Sequence, residues 1–335
     1  MRPCSCTALI CGRPGGCSGN RPRRGERWPV VDLSVVIVTY NPGDLVLGCL
    51  RSVRSEGSGL SSELIVVDNA SQDGTPDRIR AEFPDVRLIV NGENRGFAAA
   101  NNQGLRVARG RYLLILNPDV EVHPGALAAM VSFLESHPDV GIVGPRTYDP
   151  DGRVALTARL PLSVPTVLWQ YLGLDRLMPY RVYGHYRRAC EQAGEPFEVG
   201  WVQGSCLMLR RLACEQIGGF DEAFFLFAEE ADLCQRAREA GWRVYYLPGA
   251  GVTHRESSSV SRYVYRKLLN HHISPLYYFR KRGRAGDVLA LKAGFTLELC
   301  LKSLVRLLQM AGRRGSDARA RLRAYWRVLG EVWRY

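Results

Sequence analysis

This 335-residue chain has no stretch of roughly 18 uncharged apolar residues, so no segment reads as a simple membrane span. No Cys-x-x-Cys pair occurs among its ten cysteines, which removes zinc-ribbon and thioredoxin-type patterns. The apolar piece Cys6–Cys11 is too short for the core of a signal peptide. Six cysteines, Cys206 and Cys234 among them, lie singly in apolar segments. They read as reduced thiols used as small core residues, in a reducing compartment. The turn after the first apolar run, Thr39-Tyr-Asn-Pro-Gly43, lacks Gly-x-Gly-x-x-Gly. A backbone without those glycines does not approach a pyrophosphate closely, which disfavours a dinucleotide-dependent oxidoreductase. With 46% apolar and 23% charged residues, the chain is neither disordered nor collagenous, and its length allows one large domain or two ordinary ones.

What is present begins with charge. The net +12 is unevenly placed. Residues 1–31 carry +5, residues 261–335 carry +13, and the stretch 32–260 carries −6. A basic total usually points to nucleic acid or an anionic membrane. The acidic middle argues against a nucleic-acid-binding domain and leaves the cationic character to the two ends. Residues 1–31, rich in Gly, Pro and Arg without periodicity, read as a disordered basic leader and an over-extended start.

Ser34-Val-Val-Ile-Val38 is a short β-branched apolar run, as a buried parallel strand requires. Glu63–Val67, Val86–Val90 and Tyr112–Leu116 repeat it, with Val140–Val143 as a weaker fifth. Stretches of helical length lie between them, at about 44–55, 75–82, 97–109 and 124–136. Such alternation predicts a mostly parallel α/β sheet with helices on both faces. Farther on, 150–200 is irregular and reads as a lid or binding loop. Cys206–Arg210 predicts a strand, Gly218–Glu222 a turn, Phe224–Ala240 a helix, and Arg243–Leu247 a strand followed by His254 in a loop.

The first strand ends in Thr39-Tyr40-Asn41, the second in Asp68-Asn69-Ala-Ser71, the fourth in Asn117-Pro118-Asp119. Any one of these reads equally well as a turn or helix cap. Three at the carboxyl ends of successive strands describe a ligand crevice, where open α/β sheets bind their ligands.

Eight segments, in order, resemble glycosyltransferase family 2, the inverting nucleotide-sugar transferases of GT-A fold, in its rhamnosyltransferase-like branch. They are Ser34–Asn41, Val67–Gly74, Asn94-Arg-Gly-Phe97 with Asn101-Asn102, Leu116–Val120, Trp201-Val-Gln-Gly204, Gly218–Glu222, Ala228-Glu-Glu-Ala-Asp232 and Val252-Thr-His254. The resemblance covers about 33–260, and implies a GT-A nucleotide-sugar-binding domain over 32–260. A nucleotide-sugar donor, a glycan or polyprenyl-diphosphate-linked acceptor, and a place at the inner face of the cell membrane go with it.

Sugar transfer needs a base pocket, neutralisation of the leaving diphosphate, a base for the acceptor hydroxyl and exclusion of water. Asp68 can accept from a pyrimidine N3–H or from ribose hydroxyls. The resemblance implies that use, with Thr39, Tyr40 and Asn41 as walls. It adds Asn69, Asn94 and Gly96 to the nucleotide-sugar site, and Arg95 as a partner for phosphate or Asp68. Asn117-Pro118-Asp119 stands where relatives carry Asp-x-Asp. Asp119 with Asn117, joined by the late His254, implies a Mg²⁺ or Mn²⁺ site bridging the diphosphate. Trp201, Gln203, Gly204 and Asp232 are implied in the acceptor and donor-sugar pocket. The family's base maps to Glu230, beside Glu229. A Glu near its reference pKa of about 4.3 is ionised at neutral pH and can accept the proton.

From Tyr263 the chain changes character. A basic knot, Arg280-Lys281-Arg282-Gly-Arg284, precedes a helix expected over 287–310. On a wheel, Asp287, Lys292, Glu298, Lys302, Arg306 and Gln309 share an arc of about 140°, with most leucines elsewhere. Residues 261–335 therefore read as a basic amphipathic helical extension against an anionic membrane surface. A helix packed on the catalytic domain or in a homodimer is the alternative, and no nucleic-acid module accompanies the extension.

Overall fold

A computed structural model describes residues 31–56, 59–173, 190–255, 264–311 and 316–335. The leader expected over 1–31 falls, but for Val31, outside the described residues.

The first half alternates strand and helix: β1 (Leu33–Thr39), α1 (Leu45–Glu56), β2 (Ser62–Asp68), α2 (Thr75–Glu82), β3 (Arg87–Val90), α3 (Phe97–Val107) and β4 (Tyr112–Leu116). Then come β5 (Val120–Val122), α4 (Ala126–Ser136), β6 (Val140–Tyr148), β7 (Ala158–Arg159), α5 (Val164–Tyr171), β8 (Phe197–Glu198), β9 (Trp201–Val202) and β10 (Cys206–Arg210). The chain ends through α6 (Arg211–Ile217), α7 (Glu229–Glu239), β11 (Arg243–His254), α8 (Val264–Lys281), α9 (Ala285–Ala311) and α10 (Ser316–Arg334). The main sheet runs β3-β2-β1-β4-β10-β6-β11-β5. β1, β2, β3 and β4 are mutually parallel, as are β6 and β11, while β10 runs antiparallel to β4 and β6, and β5 antiparallel to β11.

Alternation along β1 explains its continuous apolar run. Val35 and Ile37 pack with α1, α2 and α4 on one face, and Val36 packs with α3 and α7 on the other. Both faces are covered, so the strand is apolar between Ser34, which receives the backbone N–H groups of Arg109 and Gly110, and Thr39 at its carboxyl end. Leu276, Phe279, Leu291, Phe295, Val328 and Val332 from the C-terminal helices join the same core as Val36 and Leu207.

Three local differences from the sequence reading matter to the site. The helix expected over Phe224–Ala240 begins only at Glu229, because Phe227 and Ala228 have φ of 70° and 65°, outside helical geometry. The strand expected over Arg243–Leu247 continues to His254 through a register shift between Leu247 and Gly251. His254 is therefore on a strand, not in a loop. Its partner strand β5, three residues long, carried no sequence signal. The irregular 150–200 region holds α5, entered by a capping box of Ser163 and Thr166.

Candidate active site

The strand-end clusters meet, as the parallel order requires. Thr39 stands beside Asp68 in the β1–β2 register, and Asn69 N donates to Thr39 O at 2.7 Å. Asp68 is fully buried. Its Oδ2 accepts from Ser71 N at 2.9 Å, while Oδ1 and the Thr39 hydroxyl are buried with no protein partner. Orphaned buried acceptors are costly, and a ligand N–H or hydroxyl would satisfy them. Asn41, at φ 49°, accepts from Gln72 N at 2.7 Å and so braces the same edge.

Asn69 is the knot of the donor edge. It donates to Asn94 Oδ1 at 3.0 Å and Gly96 O at 3.1 Å, and accepts from Arg95 N at 3.0 Å. Gly96 has φ 83°, and a Cβ there would lie 2.7 Å from Phe225 O. Only glycine lets the 94–97 loop press against Phe225, whose carbonyl accepts from Phe97 N at 2.8 Å.

Two cavities flank Asp119. The larger, about 740 Å³, opens between α1 and β5 and shares only Asp119 with the strand-end set. The smaller, about 220 Å³, gathers Tyr40, Asn69, Asn94, Gly96, Asn117 and Asp119, and is the candidate donor pocket despite its size. Its far wall is Phe225 and Leu226, with Arg266, Lys267 and Asn270 of α8. The sequence reading missed those α8 residues. They sit in a stretch recognised only for its net charge, and no spacing links them to the motifs.

Pairing of β11 with β5 places His254 opposite Val120, next to Asp119. His254 Nε2 and Asp119 Oδ1 are 3.1 Å apart although 135 residues separate them. Asn117 N is tied to Ser205 O at 2.8 Å, and its side chain lines the donor pocket. Among the described residues no cluster of three His, Cys, Asp or Glu side chains surrounds this point. A carboxylate and an imidazole together suit a divalent cation that completes its shell with diphosphate oxygens and water. The donor set fits such a cation.

Glu229 and Glu230 open α7 as a neighbouring acid pair, and each has one buried carboxylate oxygen with no hydrogen-bond partner. Burial pushes Glu229 well above the ordinary carboxylate range, and the Glu230 charge adds to it. Burial also raises Glu230, opposed by the backbone at Gly204 and by Arg159. The expected ordinary carboxylate at Glu230 is thereby corrected to a more basic one. Gly204 packs between Glu230 and Phe97, which lines the donor pocket: a Cβ on Gly204 would lie 3.6 Å from both Glu230 Cβ and the Phe97 ring. Gln203 is held by Thr157 O at 3.0 Å, and Trp201 has its buried indole N–H unpartnered, with the Arg159 guanidinium 5.8 Å from its ring.

Two expected site residues lie elsewhere. Asp232 is fully buried: Arg236, one turn on in α7, donates to it at 2.7 Å, and Lys281 and Arg282 from the C-terminal region donate at 3.1 and 3.0 Å. It clamps α8 to α7 rather than lining a sugar pocket. The Arg95 side chain is exposed, and its backbone N–H donates to Asn69 Oδ1 at the donor edge.

Three comparisons bear on this arrangement. The family model described as Glycosyl transferase family 2 matches residues 34–218. The N-acetylglucosaminyl-diphospho-decaprenol L-rhamnosyltransferase of Mycobacterium tuberculosis is 34% identical over 265 residues, covering 75% of this chain and 84% of that protein. A low-salt glycan biosynthesis hexosyltransferase of Haloferax volcanii is 27% identical over 236 residues, covering 69% and 70%. Among solved structures, a mannosyltransferase from Pyrobaculum calidifontis in complex with GDP-Man and Mn²⁺ superposes with a TM-score of 0.51 at 19% identity. It covers 91% of this chain and 89% of its own, a likeness of fold.

Proposed function

The chain belongs to glycosyltransferase family 2, and on that premise we propose that it moves L-rhamnose from dTDP-rhamnose to a polyprenyl-diphosphate-linked glycan, with inversion, in cell-surface polysaccharide synthesis. Support for the sugar and the acceptor comes from the mycobacterial relative, which is named for that transfer onto an N-acetylglucosaminyl-diphospho-decaprenol. The observation that carries the mechanism is the packing at Gly204, which lies against both the Glu230 stem and the ring of Phe97, a residue that lines the pocket holding Asp119.

In this reading Asp68 and Thr39 receive the pyrimidine or ribose through their orphaned oxygens. Tyr40, Asn69 and Asn94 wall the donor, with Arg266 and Lys267 at the rim. Asp119, His254 and Asn117 would hold Mg²⁺ or Mn²⁺, which supplies charge neutralisation for the departing diphosphate. Glu230 takes the acceptor hydroxyl proton as the oxygen bonds to the anomeric carbon. The bond to the diphosphate breaks on the opposite face, so no glycosyl-enzyme forms. Burial disfavours the ionised form of Glu229, and the neighbouring Glu230 charge disfavours it further. A lipid-linked acceptor puts the enzyme at the cytoplasmic membrane face, with 261–335 as the contact. Among the described residues no helix is long and apolar enough to cross a membrane.

Calorimetric titration with dTDP-, UDP- and GDP-sugars, with and without Mn²⁺, tests the donor. dTDP-rhamnose should bind tightest, and Asp68→Ala should weaken it about tenfold to a hundredfold, the worth of a charge-assisted hydrogen bond. Preference for a UDP-hexose, or an unchanged affinity in the variant, would reject the assignment.

A further inference from the structure

The wheel of residues 287–310 reads as an amphipathic helix against a membrane, or packed on the catalytic domain or in a homodimer. The structure turns the middle of its polar arc, at Glu298, inward. Glu298 is 2% exposed and accepts from His272 Nε2 at 2.9 Å, with Lys302 paired to its other oxygen. Leu291, Phe295 and Leu299 fill the core beside it. The opposite face of α9 is left bare. Leu289, Leu297, Leu301, Leu304, Val305 and Leu308 are each between 49% and 65% exposed. They fall within an arc of about 160°, and none of the charged residues between Val288 and Met310 lies on it. From Leu289 to Leu308 the stripe is about 30 Å long. Isolated exposed leucines need no explanation, but a continuous stripe of this size does.

Its flank is basic and aromatic. On α10, Trp326 and Trp333 are 56% and 51% exposed and lie two turns apart on one face, interleaved with exposed Arg319, Arg323, Arg327 and Arg334. Trp333 Nε1 donates to Thr296 Oγ1 at 3.0 Å, and Lys292 stands 5.6 Å from its ring, so the tryptophan borders the leucine stripe.

We infer that the leucine face of α9, edged by the Trp and Arg side chains of α10, is the surface that enters an anionic lipid bilayer, with α9 lying in the membrane plane. Charge complementarity selects this occupant. Residues 261–335 carry +13, so a second copy seated on the face would bring two cationic helical layers together, whereas anionic headgroups complement the arginines. Tryptophan at the border suits the headgroup level, and the leucines suit the acyl layer beneath. The inference refines where 261–335 meets the membrane and does not depend on the donor sugar.

The test is cosedimentation of the full chain with vesicles of equal parts phosphatidylglycerol and phosphatidylcholine, beside pure phosphatidylcholine. Wild type should sediment with the anionic vesicles. Replacement of Leu297, Leu301, Leu304 and Leu308 together by Gln should reduce partitioning at least about a hundredfold. Arg319→Gln with Arg323→Gln, which touches no core residue, should reduce it about thirtyfold on anionic vesicles alone. Should the leucine variant lose its cooperative melt, the arginine pair carries the test. Nucleotide affinity reports the catalytic domain separately and should not change. Failure of wild type to bind, equal binding by either variant, or a wild-type dimer that the leucine variant converts to monomer without any vesicle binding would overturn the inference.

Discussion

Asp232 offers the sharpest separation between a structural and a catalytic acid. Its side chain has no solvent exposure, and it receives Arg236, Lys281 and Arg282, whose side chains are 20%, 28% and 18% exposed. Asp232→Asn keeps the shape and removes the charge, leaving three cations around a neutral amide. Removing one partner of a buried ion pair costs about 3–5 kcal/mol. The lower end applies here, because the cations keep some water, Lys281 retains Asp221 at 2.7 Å, and Arg236 retains the carbonyls of Ile217 and Gly219. A loss of about 3 kcal/mol lowers the melting temperature by roughly 4 °C in a chain of this size. Differential scanning calorimetry of the apoprotein reads that change, and titration with the donor reads the site. The variant should melt earlier and bind donor as wild type does. A normal melt with lost donor or acceptor affinity would return Asp232 to the sugar pocket and refute the clamp.

Two further outcomes follow from the pocket. Because burial raises Glu230, the acidic limb of the kcat profile should lie above the ordinary carboxylate value of about 4.3, with activity lost as pH falls through it; a limb at or below that value would contradict the burial effect. Gly96→Ala must place a Cβ 2.7 Å from Phe225 O at a φ of 83°, so it should cost about 1–3 kcal/mol and weaken donor binding by displacing Phe225; an unchanged melt and affinity would show that the 94–97 loop does not depend on that contact.

Much of this was legible before any coordinates. The β1, β2 and β4 runs announce themselves because a strand covered on both faces can hold only apolar residues, and their polar ends then have to converge at one edge. β5 escaped notice because three residues carry no periodicity, and with it went the pairing that brings His254 to Asp119. Charge also misled at two places. Asp232 sits in the acidic cluster with Glu229 and Glu230, yet a helix turns the third residue on toward α8, which sequence alone does not show to be there. The wheel of α9 leaves Leu291 and Leu299 among its polar residues, and that mixed side faces inward, where His272 from another helix is the buried partner of Glu298.

The central claim is a base-assisted inverting rhamnosyl transfer, and the most direct measurement is the transfer itself. Purified enzyme with dTDP-β-L-rhamnose, a polyprenyl-diphosphate-linked N-acetylglucosamine and Mg²⁺ should release dTDP and yield an α-linked rhamnoside, read by proton NMR of the anomeric signal. Glu230→Gln should lower that turnover about 10²–10⁴-fold, the usual worth of general-base catalysis, with donor affinity nearly unchanged. A β-linked product, or full turnover in Glu230→Gln, would contradict the account.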